Sequence, residues 1–509
     1  MKLRSILFRA VALLAVTVPA ISGCKEQEQE ASAPVLISTE PVDGVSELEG
    51  STLTVKFCFD IPVSCPEKGR SRIAAGEASV SEIMALARYV NVSVTGLKAG
   101  KSYTISIPEG CICSQASPEL SAKAINFSFT MKSAGPDPDE WESAADAVAA
   151  MGTGWNLGNT LDSNSGDINN MWLEAWTQRS VADYETAWGQ PQATRELIHM
   201  FKQAGFNAIR VPVTWYPHMG KLSVNVIGGK AIWDMDSWTG YEVDPKWMAR
   251  VKEVVDYVID EGMYCILNVH HDTGDASTAW LRADAAAYEK YSERFVNLWN
   301  QIATGFADYG NRLVFESFNE MLDAKGTWNT TTTEGYDTIN KYNSDFVHTV
   351  RATGGNNAYR NLILNTYAAS VDVDALKHFK LPYDSVSGHL IAEVHSYAPY
   401  QFAFEMSNPA DQWTVFDAKC ETQVKAIVDN LNKNLVEKGI PTIIGEYGAT
   451  SKVGEEEMAK QAACYVSSAR KYGIACFYWM ALSDGEDRSK PAWTRPVLKD
   501  AILKAYKEK

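Results

Sequence analysis

Positive charge is scarce in this sequence: 47 Lys and Arg stand against 63 Asp and Glu, a formal net charge of −16. A surface of that sign gives no footing to nucleic acid or to an anionic membrane, so a neutral ligand is the easier partner. Metal and nucleotide patterns are missing as well. The nine cysteines show no zinc-ligand rhythm, and no glycine-rich phosphate loop follows the first strand-like run. Aromatic surface, in contrast, is plentiful, with 15 Trp and 22 Tyr. Such rings stack on flat sugar faces and serve equally well to fill a large core.

A chain of 509 residues is too long for one compact core and favours two or three domains. Lys2, Arg4 and Arg9 precede an apolar run over 10–21 and then Ser22-Gly23-Cys24, which reads as a secretory signal over 1–24. The run is too short to span a bilayer. Small residues ahead of Cys24 resemble a bacterial lipobox, so Cys24 is the expected lipidation site; the alternative is an ordinary cleaved signal with a chance Cys. In the lipobox reading acyl chains anchor an exported protein to the outer membrane, on its periplasmic or outer side, and residues 25–33 form a polar tether.

Residues 34–133 read as short strands between turns, at 52–59, 90–94, 102–107 and 126–130, with alternation such as Leu53-Thr54-Val55-Lys56-Phe57. A small all-β sandwich is expected there. The pattern resembles bacterial Ig-like modules and carries no catalytic constellation, so a spacer is the default reading and a sugar-binding module the alternative. Among Cys58, Cys65, Cys111 and Cys113 there is room for one disulfide, whereas Cys265, Cys420, Cys464 and Cys476 read as buried thiols. Gly135-Pro136-Asp137-Pro138-Asp139, within 134–140, is a stiff polar linker.

From 141 to 509 strand-like apolar runs alternate with helical patterns. Eight runs qualify, at 154–157, 208–213, 264–269, 313–317, 362–364, 390–394, 442–444 and 475–479. Between them, spacings such as Val251, Val254, Val255 and Val258 mark amphipathic helices. This is the count and size of a TIM (β/α)8 barrel, with a doubly wound open sheet as the rival architecture.

A barrel of this kind collects its reactive groups at the C-terminal ends of its strands. Arg210, His270 and His271, Asn319 and Glu320, His395 and Tyr397, Glu446 and Trp479 all fall there. Two carboxylates on different strands, flanked by His, Arg, Asn, Tyr and Trp, match what glycoside hydrolysis needs. Glu446 is the expected nucleophile, with Arg210 and the Tyr397 hydroxyl holding its charge. Glu320 is the expected acid and then base, Asn319 the partner of a sugar 2-hydroxyl, and Trp479 a stacking floor.

The stretches Gly154-Trp155-Asn156-Leu157-Gly158-Asn159-Thr160-Leu161-Asp162, Gly205-Phe206-Asn207-Ala208-Ile209-Arg210-Val211-Pro212, Asn268-Val269-His270-His271-Asp272, Ser317-Phe318-Asn319-Glu320, His395-Ser396-Tyr397-Ala398-Pro399 and Ile444-Gly445-Glu446-Tyr447-Gly448 resemble glycoside hydrolase family 5, and within it the endoglucanase and xyloglucanase group of subfamily 4. The resemblance implies a retaining mechanism, endo action on β-1,4-glucans, the roles above and no cofactor. Met321-Leu322 stands where relatives often carry Pro-Arg, and Met480-Ala481 where many carry Asp-Asn; both departures put substrate preference in doubt.

Other readings stay open at this stage. For His270-His271-Asp272 the rival is a metal site, which is awkward because neighbours on a strand point to opposite sides unless the strand has already ended. Trp215 and Trp328 either stack on glucose rings or pack as lids, and Asn159 and Asp162 either touch sugar or brace a loop. A β-mannanase or an exo-β-glucosidase keeps the mechanism and changes the cleft. A noncatalytic glycan-binding surface protein has no need of both carboxylates. A monomer is expected.

Overall fold

The computed structural model describes residues 32–48, 50–98, 100–132, 141–164, 180–329, 332–479 and 488–508. The expected signal with Cys24, most of the tether, the linker 134–140 and Met480-Ala481 lie outside the described residues. The chain divides into two compact units, Met1–Ala134 and Gly135–Lys509.

The first unit is a sandwich of two sheets over one apolar core. One sheet orders Leu36–Glu40, Thr52–Phe59, Tyr89–Thr95 and Ser79–Leu86; the other orders Val45–Leu48, Ile125–Met131 and Ser102–Ile107. Alternate residues such as Val55, Phe57, Phe59, Val90, Val92 and Val94 point into the shared core, as period-two patterning requires. The sequence reading missed Leu36–Glu40, Val45–Leu48 and Ser79–Leu86, and the two-residue strands Val63–Ser64 and Cys113–Ser114. The disulfide allowed by spacing is not formed: the eight described cysteines are all free. Cys65 and Cys111 are instead buried in this core, where a thiol packs as a small hydrophobe, and burial raises both thiols.

The second unit is a closed barrel of eight parallel strands. In order they are Thr153–Asn156, Ala208–Val211, Tyr264–Asn268, Leu313–Glu316, Leu362–Asn365, Leu390–His395, Thr442–Tyr447 and Ala475–Trp479. Each coincides with an expected run and differs at most at its ends. Strand closure rules out the open doubly wound sheet. Helix Pro245–Asp260 illustrates the outer layer: Asp244 caps it through Lys246 N, Pro lies in its first turn, and Val251, Val254, Val255 and Val258 bury its inner face.

One element runs against expectation. After the second barrel strand the chain forms a hairpin, Met219–Ile227 with Lys230–Val243, turning at Gly228 and Gly229, both at positive φ. It is an exposed insertion whose mixed polar pattern gives no strong period. It is pinned by Trp233 and Trp238, whose indole N–H groups donate to Asn164 O and Met219 O.

Candidate active site

Alternation along the strands decides what faces the barrel interior. The bottom is apolar: Ala208, Ile266, Val314, Ile363, Ile391, Ile443 and Phe477 pack together with helix Ala144–Met151. Two residues further along, the inward positions become polar. They are Arg210 after Ala208, Asn268 after Ile266, Glu316 after Val314, Asn365 after Ile363, Glu393 after Ile391 and Trp479 after Phe477. Burying so many polar groups is tolerable only if they bond one another, and most of their polar atoms do; Asn365 Oδ1 and Glu393 Oε2 are the exceptions among these side chains.

Arg210 is the hub. Its Nε and Nη2 grip Glu316 at 2.6 and 2.7 Å, Nη1 donates to Asn156 Oδ1 at 3.0 Å and to Glu446 Oε1 at 2.7 Å, and Nη2 also donates to Asn319 Oδ1 at 2.9 Å. Asn268 donates to Glu316 at 2.9 Å, and Asn365 Nδ2 to the Phe318 carbonyl. Burial works against the Glu316 carboxylate, yet Arg210 outweighs it and holds the group below its ordinary value.

Glu446 reaches this pocket through a defect in the sheet. Ile443 faces the interior and Ile444 the helical layer, so regular alternation turns Gly445 inward and Glu446 outward. The register slips here: Val394 pairs with Ile444, but His395 pairs with Glu446. A bulge at Gly445 therefore re-aims Glu446 into the barrel. The carbonyl of Gly445 accepts from Asn156 Nδ2 at 2.9 Å, and a Cβ at 445 would stand 1.5 Å from Glu393 Oε1, so only glycine fits. With Arg210 on Oε1, Glu446 Oε2 accepts the Tyr397 hydroxyl at 2.7 Å.

Glu320 lies beyond the end of the fourth strand, its side chain 20% exposed. His395 Nδ1 is 2.8 Å from Glu320 Oε1 and 3.7 Å from Glu446 Oε2. One carboxyl oxygen of Glu320 and one of Glu446 lie within 4.8 Å. That separation fits double displacement, in which the two carboxyl groups lie about 5 Å apart. Burial raises the Glu320 carboxyl above its ordinary value, and the charge of Glu446 adds to this against the pull of His395. Burial opposes the His395 imidazolium, but Glu446, Glu320 and Glu393 together push the ring up to about 10.

The chain matches the profile of Cellulase (glycosyl hydrolase family 5) over residues 169–485. This chain belongs to glycosyl hydrolase family 5. It is 35% identical over 378 residues to Endoglucanase A of Clostridium longisporum, covering 72% of this chain and 66% of that protein, just under two thirds of the relative's length. Among solved structures, the family 5 enzyme PbGH5A of Prevotella bryantii B14, a mutant in complex with a xyloglucan tetradecasaccharide, is 42% identical at a TM-score of 0.62, covering 72% of this chain and 99% of that one. A GH5-4 broad specificity endoglucanase from Clostridium longisporum is 33% identical at a TM-score of 0.62, covering 72% and 99%.

Within this family 5 barrel the remaining expectations sort by burial. Trp479 is 7% exposed and lies parallel to His270, ring centres 5.6 Å apart and planes 8° apart. His270 Nδ1 pairs with Asn268 Nδ2 at 3.0 Å, while His271 turns to Trp188 and holds its Nε2 3.8 Å from Asp162. Burial lowers both imidazoles, His271 to about 3. The third strand ends at Asn268, so the steric objection to a shared ion fails: ligand atoms of Asp162, His270 and His271 lie within 4.8 Å of one another. Asp162, however, already accepts the backbone N–H groups of Asn159 and Thr160 at 3.0 and 2.6 Å. It braces the loop, holding Asn159 at a φ of 56°.

Trp215 is corrected. It is fully buried, donating its indole N–H to Asn268 O at 2.9 Å, and has no face left for sugar. Trp328 is the presented one, 48% exposed, and lines a cleft of about 340 Å³ with Glu320, His395, Tyr397 and Tyr400. Met321 and Leu322 are likewise fully buried, so this departure from the family pattern lies in packing rather than on the cleft wall. The sequence reading missed Glu316, Glu393 and the buried Arg488, which donates to Thr160 Oγ1 and Gly158 O, both at 2.8 Å. For the two glutamates the usable signal was a charge at an inward position two residues after the last apolar one.

Proposed function

We propose that this family 5 protein is an exported endo-β-1,4-glucanase that hydrolyses its glucan with retention, Glu446 acting as nucleophile and Glu320 as acid and then base. The observation that carries the reading is the gap of at most 4.8 Å between carboxyl oxygens of Glu320 and Glu446. Glu446 attacks the anomeric carbon while Glu320 protonates the departing oxygen; Glu320 then takes a proton from the water that releases the sugar. Arg210 and Tyr397 fix the attacking carboxylate, and Asn319, oriented by Arg210, is left with its amide N–H groups for the 2-hydroxyl. No step calls on a cofactor. Trp328, which lines the cleft with Glu320, and Trp479, at the end of the eighth strand, supply the sugar-stacking surface.

The solved relatives, one bound to a xyloglucan fragment and one described as of broad specificity, support a cleft that accepts more than one β-1,4-glucan. Reducing-end release from carboxymethyl cellulose, barley β-glucan and xyloglucan tests the reading. Oligosaccharides of several lengths are expected early. Mannan turnover with the glucans untouched, glucose as the sole early product, or binding without release would each sink it.

The Ser22-Gly23-Cys24 motif supports a lipid-anchored, exported form held by Cys24, with the Ig-like sandwich as spacer between anchor and barrel. Cys24→Ala is expected to move the protein from the membrane fraction to the soluble one. Retention in the membrane pellet would overturn the anchor.

A further inference from the structure

Glu393 has no part in the two-carboxylate mechanism, yet it lies at the centre of the pocket. It is fully buried, its Oε1 is 3.3 Å from His395 Nε2 and 3.4 Å from Arg210 Nε, and its Oε2 has no hydrogen-bond partner among the described residues. A carboxylate oxygen buried without a donor is costly, whereas a neutral carboxyl is much less so. The bulge at Gly445 leaves just enough room for this side chain, since any Cβ there would collide with it. His395 thus bridges two acids, with Nδ1 on Glu320 at 2.8 Å and Nε2 on Glu393.

We propose that Glu393 is a positioning residue that shares one proton with His395 and, by passing it to the imidazole, stabilises Glu320 as a carboxylate during the glycosyl-enzyme stage. The inference rests on the proposed double displacement. In the free enzyme the shared proton is on Glu393 Oε1 and His395 is neutral, donating Nδ1–H to Glu320. When Glu320 gives its proton to the leaving oxygen, the Glu393 proton crosses to His395 Nε2. The products are a Glu393 carboxylate and an imidazolium lying against the new Glu320 carboxylate.

Charge balances throughout. Before attack Arg210 faces the anions of Glu316 and Glu446; afterwards Glu446 is an uncharged ester, and Glu393 becomes the second anion beside the guanidinium. The pocket's net charge stays the same, because Glu320 gains the negative charge that Glu446 loses while the proton transfer leaves the Glu393 and His395 pair neutral overall. The groups facing Glu393 are Arg210 from the second strand, Glu316 from the fourth, His395 from its own and Glu446 from the seventh. Burial, then Glu316, pushes the Glu393 carboxyl up to about 7 against Arg210 and His395. The imidazole is pushed up by Glu446, Glu320 and Glu393; with Glu320 and Glu393 both protonated in the free enzyme two of those three charges are absent, so the shared proton stays on Glu393 until Glu320 ionises.

Glu393→Gln keeps the shape and removes the transferable proton. Wild type is assayed first on a β-glucan and on 2,4-dinitrophenyl β-cellobioside, whose leaving group needs no protonation; silence there would sink the proposed activity itself. Given normal wild-type turnover, the variant is expected to lose about tenfold or more in kcat/KM on glucan, through kcat, with a several-fold smaller loss on the aryl substrate. Equal losses on both substrates in a folded variant would overturn the relay alone. A measurement on the wild type needs no variant: the imidazole nitrogens of His395, followed by ¹⁵N NMR, should change from neutral in the free enzyme to doubly protonated in the trapped 2-fluoro-glycosyl enzyme. An unchanged ring across the two states would equally overturn it.

Discussion

Glu446→Gln is expected to lose at least about 10⁴-fold in turnover on every substrate, polysaccharide or aryl glycoside, because an amide cannot form the ester on which both half-reactions depend. The substitution is nearly isosteric. Arg210 still finds an acceptor at one atom, and the Tyr397 hydroxyl can accept from the new amide N–H in place of donating at 2.7 Å. The fold should therefore survive, and an unfolding transition close to wild type would show that chemistry alone was lost. Residual activity within about tenfold of wild type would remove Glu446 from the role of nucleophile.

Glu320→Ala has a different signature. On glucan the loss should reach roughly 10²- to 10⁴-fold, the worth of a positioned general acid, while kcat/KM on dinitrophenyl cellobioside should fall far less because that leaving group departs unprotonated. Slow release of the trapped sugar should then limit the aryl substrate, and added azide should restore turnover by attacking without a base. The pH profile carries the same assignment. Glu320 acts first in its protonated form and burial raises its pKa, so wild-type kcat/KM on glucan should fall as pH rises through that raised value. The basic limb should vanish in Glu320→Ala assayed on the aryl glycoside. A variant that loses both substrates equally would refute the division between acid and nucleophile.

Much of this was legible in the sequence because a parallel barrel imposes two simple periods. Buried strands read as short apolar runs, and the residue that ends each run is the one exposed to substrate, so Glu320, Glu446, His395 and Trp479 stood out. Glu393 and Glu316 did not, because a single charge inside an apolar strand reads as a flaw until its partners from other strands are known. Arg210 was legible from its own strand; its claim on Glu316 and Asn319 was not. Alternation alone would even have turned Glu446 away from the pocket, since the bulge at Gly445 depends on backbone pairing with the sixth strand. Trp215 misled for the opposite reason: loop position suggested exposure, while Asp272, accepting its backbone N–H at 2.8 Å, folds the loop inward.

Arg210 also separates two tasks. A guanidinium has five N–H groups, and here Glu316, Asn156, Glu446 and Asn319 occupy all of them. An arriving sugar finds no vacancy there, so the arginine tells one glycan from another no better than a hinge tells one visitor from the next. Recognition is left to the mouth of the barrel, where side chains can be exchanged to suit a new polymer while the machinery beneath is passed on whole.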